Sequence, residues 1–143
     1  MYVTDKGGLK AHAESLVNAM KKLKVDVILS NQINYNDFDI VHIQFDYSLF
    51  HPFGLRIVPK LMRLKFNKKK VVLTIGTILK KREIYTRNKF FTFLKKIVLP
   101  ISTKMIAFFS DKVIVMIGEM KETLIADYKI NKEKVEVIAH GIY

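Results

Sequence analysis

The sequence predicts an α/β protein in which a mostly parallel sheet of about six strands is covered by helices on both faces. Three observations support this prediction. Short apolar segments alternate with amphipathic helical segments along nearly the whole chain. The apolar segments are near-continuous runs, which is typical of parallel strands buried on both faces. The length of 143 residues suits a single domain.

The predicted strands follow from these apolar runs. The first is short, occupies residues 2–4 and ends just before Gly7 and Gly8. β-Branched and aliphatic residues define the others. These are residues 25–29, 39–45, 70–75, 111–117 and a last strand that ends at Gly141. The polar residues 30–38 are expected to form a loop.

The predicted helices fill the intervals between strands, because their apolar residues recur at helical spacing. They are residues 8–24, 51–69, 88–109 and 118–130. Pro59 is expected to kink or split the second of these, and Pro100 to divide the third into two helices. Residues 76–88 are expected to form a basic loop or a first helical turn. This alternation is that of a Rossmann-like, doubly wound domain.

The composition excludes several classes of protein. The chain has no cysteine, which excludes disulfides, thiolate metal sites and a cysteine nucleophile. The amino-terminal residues lack the pattern of a secretory signal. No uncharged run approaches the roughly 18 residues of a membrane-spanning helix. We therefore expect a cytoplasmic protein, with peripheral attachment to the inner face of the membrane left open.

The charge of the chain favours anionic partners. Lysine and arginine total 25 against 13 acidic residues, a formal net charge of +12. Anionic lipid, phosphorylated small molecules and nucleic acid all fit this excess, and a merely solvated surface is the alternative. Nucleic acid is disfavoured, because the sequence has no helix-turn-helix, RNP-like aromatic or zinc-ligand pattern. The four histidines share no metal-ligand spacing, so no metal site is expected.

The stretch from Leu79 to Phe109 combines aromatic side chains with cations. Such a segment can enter the lipid headgroup boundary while its lysines contact anionic phosphates. The alternative is packing on the sheet, which is favoured for residues 97–109, whereas membrane contact is favoured for residues 78–96. The predicted membrane-contacting residues are Lys80, Lys81, Arg82, Arg87, Lys89, Phe90, Phe91, Lys95 and Lys96.

The glycine turn after the first strand is a candidate anion site, since ligands of parallel sheets bind beside the carboxyl ends of the strands. A glycine lets backbone approach a ligand, and a helix start presents unpaired N–H groups to an anion. A tight corner without a ligand is the alternative. The predicted acceptor- or phosphate-binding residues are Lys6, Gly7, Gly8 and His12. For His12, a structural role in the helix is the favoured alternative.

Other polar residues are predicted to line the same crevice. His42 lies within a strand and is expected to be a hydrogen-bonded core histidine. Gln44 shares its face and lies closer to the carboxyl end, so it is the better cleft residue. For His140, cleft and structural roles are equally favoured. The predicted cleft-lining residues are Gln44, Gly76, Thr77, His140 and Gly141.

Five segments carry a resemblance to a known family. They are KGGLKAHAESLVNAM, DFDIVHIQF, KVVLTIGT, SDKVIVMIGEMKETL and INKEKVEVIAHGIY. In this order they resemble the amino-terminal domain of glycosyltransferase family four. Those enzymes are retaining, nucleotide-sugar-dependent transferases with two facing Rossmann-like domains, the GT-B architecture. The resemblance covers essentially the whole chain.

The resemblance implies that residues 1–143 are the acceptor-binding half of such an enzyme. The nucleotide-sugar donor would be a co-substrate, bound mainly by a carboxyl-terminal donor-binding domain or subunit outside this chain. No cofactor or metal is implied, and the acceptor would be a saccharide or a lipid-linked sugar at the cytoplasmic membrane face. No catalytic residue can be assigned.

Two positions depart from the family pattern. Gly76 stands where the family usually has a histidine near the transferred sugar, and Ile117 where a small polar residue is common. The alternative function is therefore a non-catalytic module of the same fold, which binds a membrane or polyanion or acts as a subunit adaptor.

Overall fold

The computed structural model describes most of the chain. The described residues are 8–30, 38–47, 50, 53–80 and 89–139. Within them, four strands form one parallel sheet in the order β1-β2-β3-β4. The strands are β1 (Ile40–Phe45), β2 (Lys70–Ile75), β3 (Lys112–Val115) and β4 (Val135–Val137). The predicted α/β class with a parallel sheet is confirmed.

Four α-helices accompany the strands in the described part of the chain. They are α1 (Gly8–Lys22), α2 (Val58–Phe66), α3 (Lys89–Phe109) and α4 (Gly118–Ala126). Short 3₁₀ helices precede α2 and β4, at Leu55–Ile57 and Lys132–Lys134. The last three helices alternate with the strands, which gives a Rossmann-like layout.

One face of the sheet carries the main hydrophobic core. In register across the strands, Ile43 pairs with Leu73 and Leu73 with Val113. All three side chains are fully buried, together with Leu61 of α2 and Leu124 of α4. Each strand lies beside the preceding one, so right-handed crossovers place α2, α3 and α4 on this same face.

The other face is more polar than the sequence suggested. It carries His42 and Gln44 of β1 and Thr74 of β2, since alternate residues of a strand point to opposite faces. Met20 of α1 lines a cavity together with His42, so α1 lies by this second face. Helices therefore border both faces, and the second face mixes these polar side chains with Val72 and Ile114.

The second predicted strand is wrong. Residues 25–29 form no strand, although they are β-branched and aliphatic. Val25 and Ile28 are exposed, and strand propensity reflects packing on a half-buried sheet more than an intrinsic backbone preference. The first predicted strand lies outside the described residues. The last strand is confirmed at 135–137, and residues 140–143 lie outside the described part.

The two prolines act differently from prediction. Pro59 neither kinks nor splits its helix, because it lies in the first turn of α2, where its missing N–H is not needed. Pro100 lies inside α3, which continues past it as one helix. A proline there removes one helical hydrogen bond. Burial of Leu99 and Ile106 on either side of it offsets that loss and holds the helix continuous.

Candidate functional site

The carboxyl ends of β1 and β2 bring together three of the predicted cleft residues, Gln44, Gly76 and Thr77, with polar neighbours. Gln44 is the penultimate residue of β1, is fully buried and lies in register with Thr74. His42 Nε2 lies 2.7 Å from Thr74 Oγ1. His42 is thus hydrogen-bonded within the sheet, as predicted. Buried polar side chains that pair between strands hold this edge in one arrangement.

The chain after β2 extends the same edge. The Gly76 N–H donates to the Phe45 carbonyl across 3.0 Å, which continues the strand pairing by one residue. Thr77 follows and is exposed to solvent. Gln44, Gly76 and Thr77 therefore lie at the carboxyl ends of two adjacent parallel strands, a position at which such sheets bind ligands.

Two contacts fix the segment that carries Thr77. The Tyr128 hydroxyl donates to the Leu79 carbonyl, and burial raises the pKa of Tyr128 to about 12, so the hydroxyl keeps its proton at neutral pH. The Lys80 ammonium group pairs with the Glu119 carboxylate at the start of α4. Lys80 was predicted to contact a membrane, and this ion pair gives it a structural role as well.

The carboxyl end of β3 adds no polar side chain at the position where the family pattern has one. Ile117 is extended and exposed, and it directly precedes α4. A Cβ atom placed on Gly118 would meet no other atom within 4 Å, so this side of the edge is open.

Several predicted site residues fall outside the described residues. Gly8 is the first residue of α1, and His12 lies within that helix, but the His12 side chain is not among those described. The same holds for the Lys89 side chain at the start of α3. Wholly outside are Lys6, Gly7, Lys81, Arg82, Arg87, His140 and Gly141. Their predicted roles stay predictions.

Helix α3 exposes an apolar stripe on the side opposite its buried side chains. Its buried residues include Leu99, Thr103 and Ile106. The exposed apolar residues follow one another at intervals of three, four and seven, so they lie on one face of the helix. This outer stripe of α3 consists of Phe90, Phe93, Ile97, Ile101 and Phe108. Phe90 and Phe93 are 68% and 64% exposed.

The outer stripe agrees with only part of the prediction for this segment. Phe90, Phe91 and Lys96 are exposed and Lys95 is half-buried, in the part for which membrane contact was favoured. Packing was favoured for residues 97–109, yet Ile97, Ile101 and Phe108 of that part belong to the stripe. The signal was present in the sequence, because these residues recur at helical spacing with Phe90 and Phe93. Because Pro100 predicts two separate helices, the spacing was not recognised as one continuous helix face.

No helix among the described residues is long and apolar enough to cross a bilayer. No group of three or more histidine, aspartate or glutamate side chains among them converges on a possible metal position. Comparison with known protein families and with curated protein sequences gave no match.

Proposed function

We propose that the chain is the acceptor-binding half of a nucleotide-sugar-dependent glycosyltransferase that works on a lipid-linked acceptor at an anionic membrane face. The observation that supports this most is the relation between two surfaces. Helix α3 begins after the carboxyl end of β2, so the aromatic end of its outer stripe lies toward the edge that carries Gln44 and Thr77. A membrane against the stripe would present a lipid-linked sugar to that edge.

The outer stripe has the properties of a membrane-facing helix surface. Phe90 and Phe93 expose aromatic rings that can enter the headgroup boundary, and Lys96 lies nearby on the exposed side. Each basic residue near an anionic leaflet adds about 1 kcal/mol of attraction. The stripe therefore supplies apolar area and its neighbours supply charge, as peripheral helices do.

The carboxyl edge would contact the acceptor. Thr77 is exposed there, so its hydroxyl is available for a sugar or diphosphate, whereas Gln44 is fully buried at the same edge. The donor nucleotide would be bound by a separate domain or subunit.

One observation favours a second candidate function. Gly76 offers no imidazole and Ile117 offers no hydroxyl at the edge, so the chain lacks both polar groups that the family pattern would supply. The alternative is a non-catalytic adaptor that binds anionic membranes through α3 and binds no sugar.

One titration tests the proposal and separates the two functions. The probe is a phosphatidylcholine vesicle that contains a polyprenyl-diphosphate-linked monosaccharide. The reference vesicle carries the same polyprenyl diphosphate with a methyl ester in place of the sugar, so that both lipids have the same charge. We expect tighter binding to the sugar-bearing vesicle. Thr77→Val should remove most of that difference, whereas Thr92→Val, which deletes a hydroxyl on α3, should keep it. Equal binding to both vesicles would contradict acceptor recognition and favour the adaptor.

A further inference from the structure

A cavity lies at the edge of the sheet opposite to the edge that carries Gln44 and Thr77. Its volume is about 590 Å³, within the range of roughly 300–1,000 Å³ that small-molecule sites occupy. It is lined by the last turns of α3 and by the segment between α4 and β4. Both segments directly precede strands, so the cavity lies at the amino edge. We call it the amino-edge pocket; it shares Phe108 with the outer stripe and no residue with the carboxyl edge.

The floor of the amino-edge pocket is apolar. Met105, Phe109 and Ile130 line it, and Phe108 stands at its mouth with 73% of its surface exposed. No aspartate or glutamate side chain lines it among the described residues. A hydrocarbon chain would cover this surface and remove it from water, at about 25 cal/mol for each Å² of apolar area.

The charged groups around the pocket are all cations, and they differ in what they already bind. Lys134 Nζ donates to the carbonyls of Ala107, Phe108 and Ser110 at 3.2, 3.2 and 3.0 Å. It therefore caps the end of α3. Lys104 and Lys129 are exposed, and neither ammonium group has an ion-pair or hydrogen-bond partner in the described part of the chain.

An apolar floor beside two such cations defines the chemistry of the ligand. We propose that the amino-edge pocket binds an anionic amphiphile, a single hydrocarbon chain that ends in a phosphate or carboxylate. The chain packs on Met105, Phe109 and Ile130, and the anionic end pairs with Lys104 and Lys129. A free inorganic anion would pair with the lysines but would not contact the apolar floor. A neutral amphiphile would pack on the floor but would not pair with the lysines.

The test uses decyl phosphate below its critical micelle concentration, titrated calorimetrically into the full chain. We expect saturable binding of one molecule, at least about tenfold tighter than that of decanol or of inorganic phosphate, because each of these lacks one half of the interaction. Decyl phosphate that binds no better than inorganic phosphate would show attraction by surface charge alone and would overturn the proposal. The absence of saturable binding would overturn it as well.

Single substitutions distinguish binding in the pocket from attraction to the overall positive charge of the chain. Lys104→Gln and Lys129→Gln are each expected to weaken decyl phosphate binding severalfold and to leave decanol binding unchanged. Lys132→Gln is the matched control, because Lys132 is an exposed lysine of the same segment that does not line the pocket. Equal losses in the Lys129 and Lys132 variants would contradict the site. Phe90→Ser should leave this binding intact, because Phe90 lies at the other end of α3 and does not line the pocket.

Discussion

At the scale of single residues, Asp111 joins three elements at the amino edge. Its Oδ1 accepts from Lys65 Nζ at 2.8 Å and its Oδ2 from the Val71 N–H at 2.7 Å. Its own N–H donates to the Val71 carbonyl at 2.8 Å. One carboxylate thus joins α2, β2 and the start of β3. Burial by itself raises the pKa of Asp111, but the Lys65 and Val71 hydrogen bonds and the nearby lysine charges together lower it.

Replacement of this carboxylate has a predictable pH dependence. Asp111→Asn should lower the free energy of unfolding at pH 7 by about 1–3 kcal/mol, since a charged hydrogen-bond partner is lost. A carboxyl group with a lowered native pKa stabilises the fold above its unfolded pKa of about 3.9, and that contribution disappears as the pH falls through the native value.

Urea unfolding from pH 7 down to about pH 3 measures this effect. The difference between the wild-type chain and Asp111→Asn should shrink on acidification below about pH 4. Glu122→Gln, at an exposed position of α4, is the control and should change little at any pH. A difference that stays constant or widens at low pH would contradict the assigned role.

Residue-scale features differ in how well the sequence predicts them. The hydrogen bond of His42 was predictable, because a polar residue inside an apolar strand needs a partner. The role of Asp111 was not, since Lys65 and Val71 approach it only in the folded chain. Gly54 is similar. It adopts φ +77°, and a Cβ atom there would lie 2.8 Å from Cζ of Phe45, a contact that the sequence pattern does not reveal.

At the scale of elements, the helix ends are notable because lysine stands where glycine is usual. Lys24, Lys68 and Lys129 follow α1, α2 and α4 with φ near +60°. After α2, Lys68 N–H donates to the Lys65 carbonyl and Lys69 N–H to the Leu64 carbonyl, at 2.9 and 3.0 Å. This is a Schellman ending, in which a side chain with a Cβ is disfavoured.

Glycine at this position should stabilise the chain. Lys68→Gly is expected to raise the free energy of unfolding by about 0.5–1 kcal/mol, because the strain of the left-handed backbone exceeds the entropy that glycine adds to the unfolded chain. Lys60→Gly, at an exposed position inside α2, is the matched control and should lower stability by about 1 kcal/mol. Thermal unfolding of both variants measures the contrast, and a loss in both would contradict it.

Helix positions were more predictable than helix continuity. The apolar periodicity located α1 to within two residues, because the spacing of apolar residues along a helix is a local property, whereas α2 begins at Val58, seven residues after its predicted start. Neither the course of α3 through Pro100 nor the absence of a strand at 25–29 could be read in this way. Both depend on what packs against the segment, which is a property of the whole fold.

At the scale of the whole molecule, α3 extends from the carboxyl edge of the sheet to the amino edge. Its 21 residues extend about 31 Å, whereas a six-residue strand extends about 20 Å, so the helix projects beyond the sheet. The aromatic end of its outer stripe lies toward the edge with Gln44 and Thr77, and Phe108 lies at the amino-edge pocket. The sequence predicted the carboxyl edge and the basic, aromatic character of this helix. The amino-edge pocket was not predictable, because its two walls are distant in sequence.

The central claim is that the outer stripe of α3 and its lysines attach the chain to an anionic membrane. Sedimentation with vesicles of mixed phosphatidylglycerol and phosphatidylcholine, compared with phosphatidylcholine alone, tests it most directly. We expect strong preference for the anionic vesicles, loss of binding in the double variant Phe90→Ser and Phe93→Ser, and binding roughly fivefold weaker in Lys96→Gln, because exposed Lys96 lies one helical turn from Phe93. Replacement of the exposed pair Lys21 and Lys22 of α1 by glutamine is the matched control and should have a much smaller effect. Binding that ignores lipid charge, or that survives both sets of α3 changes, would contradict the account.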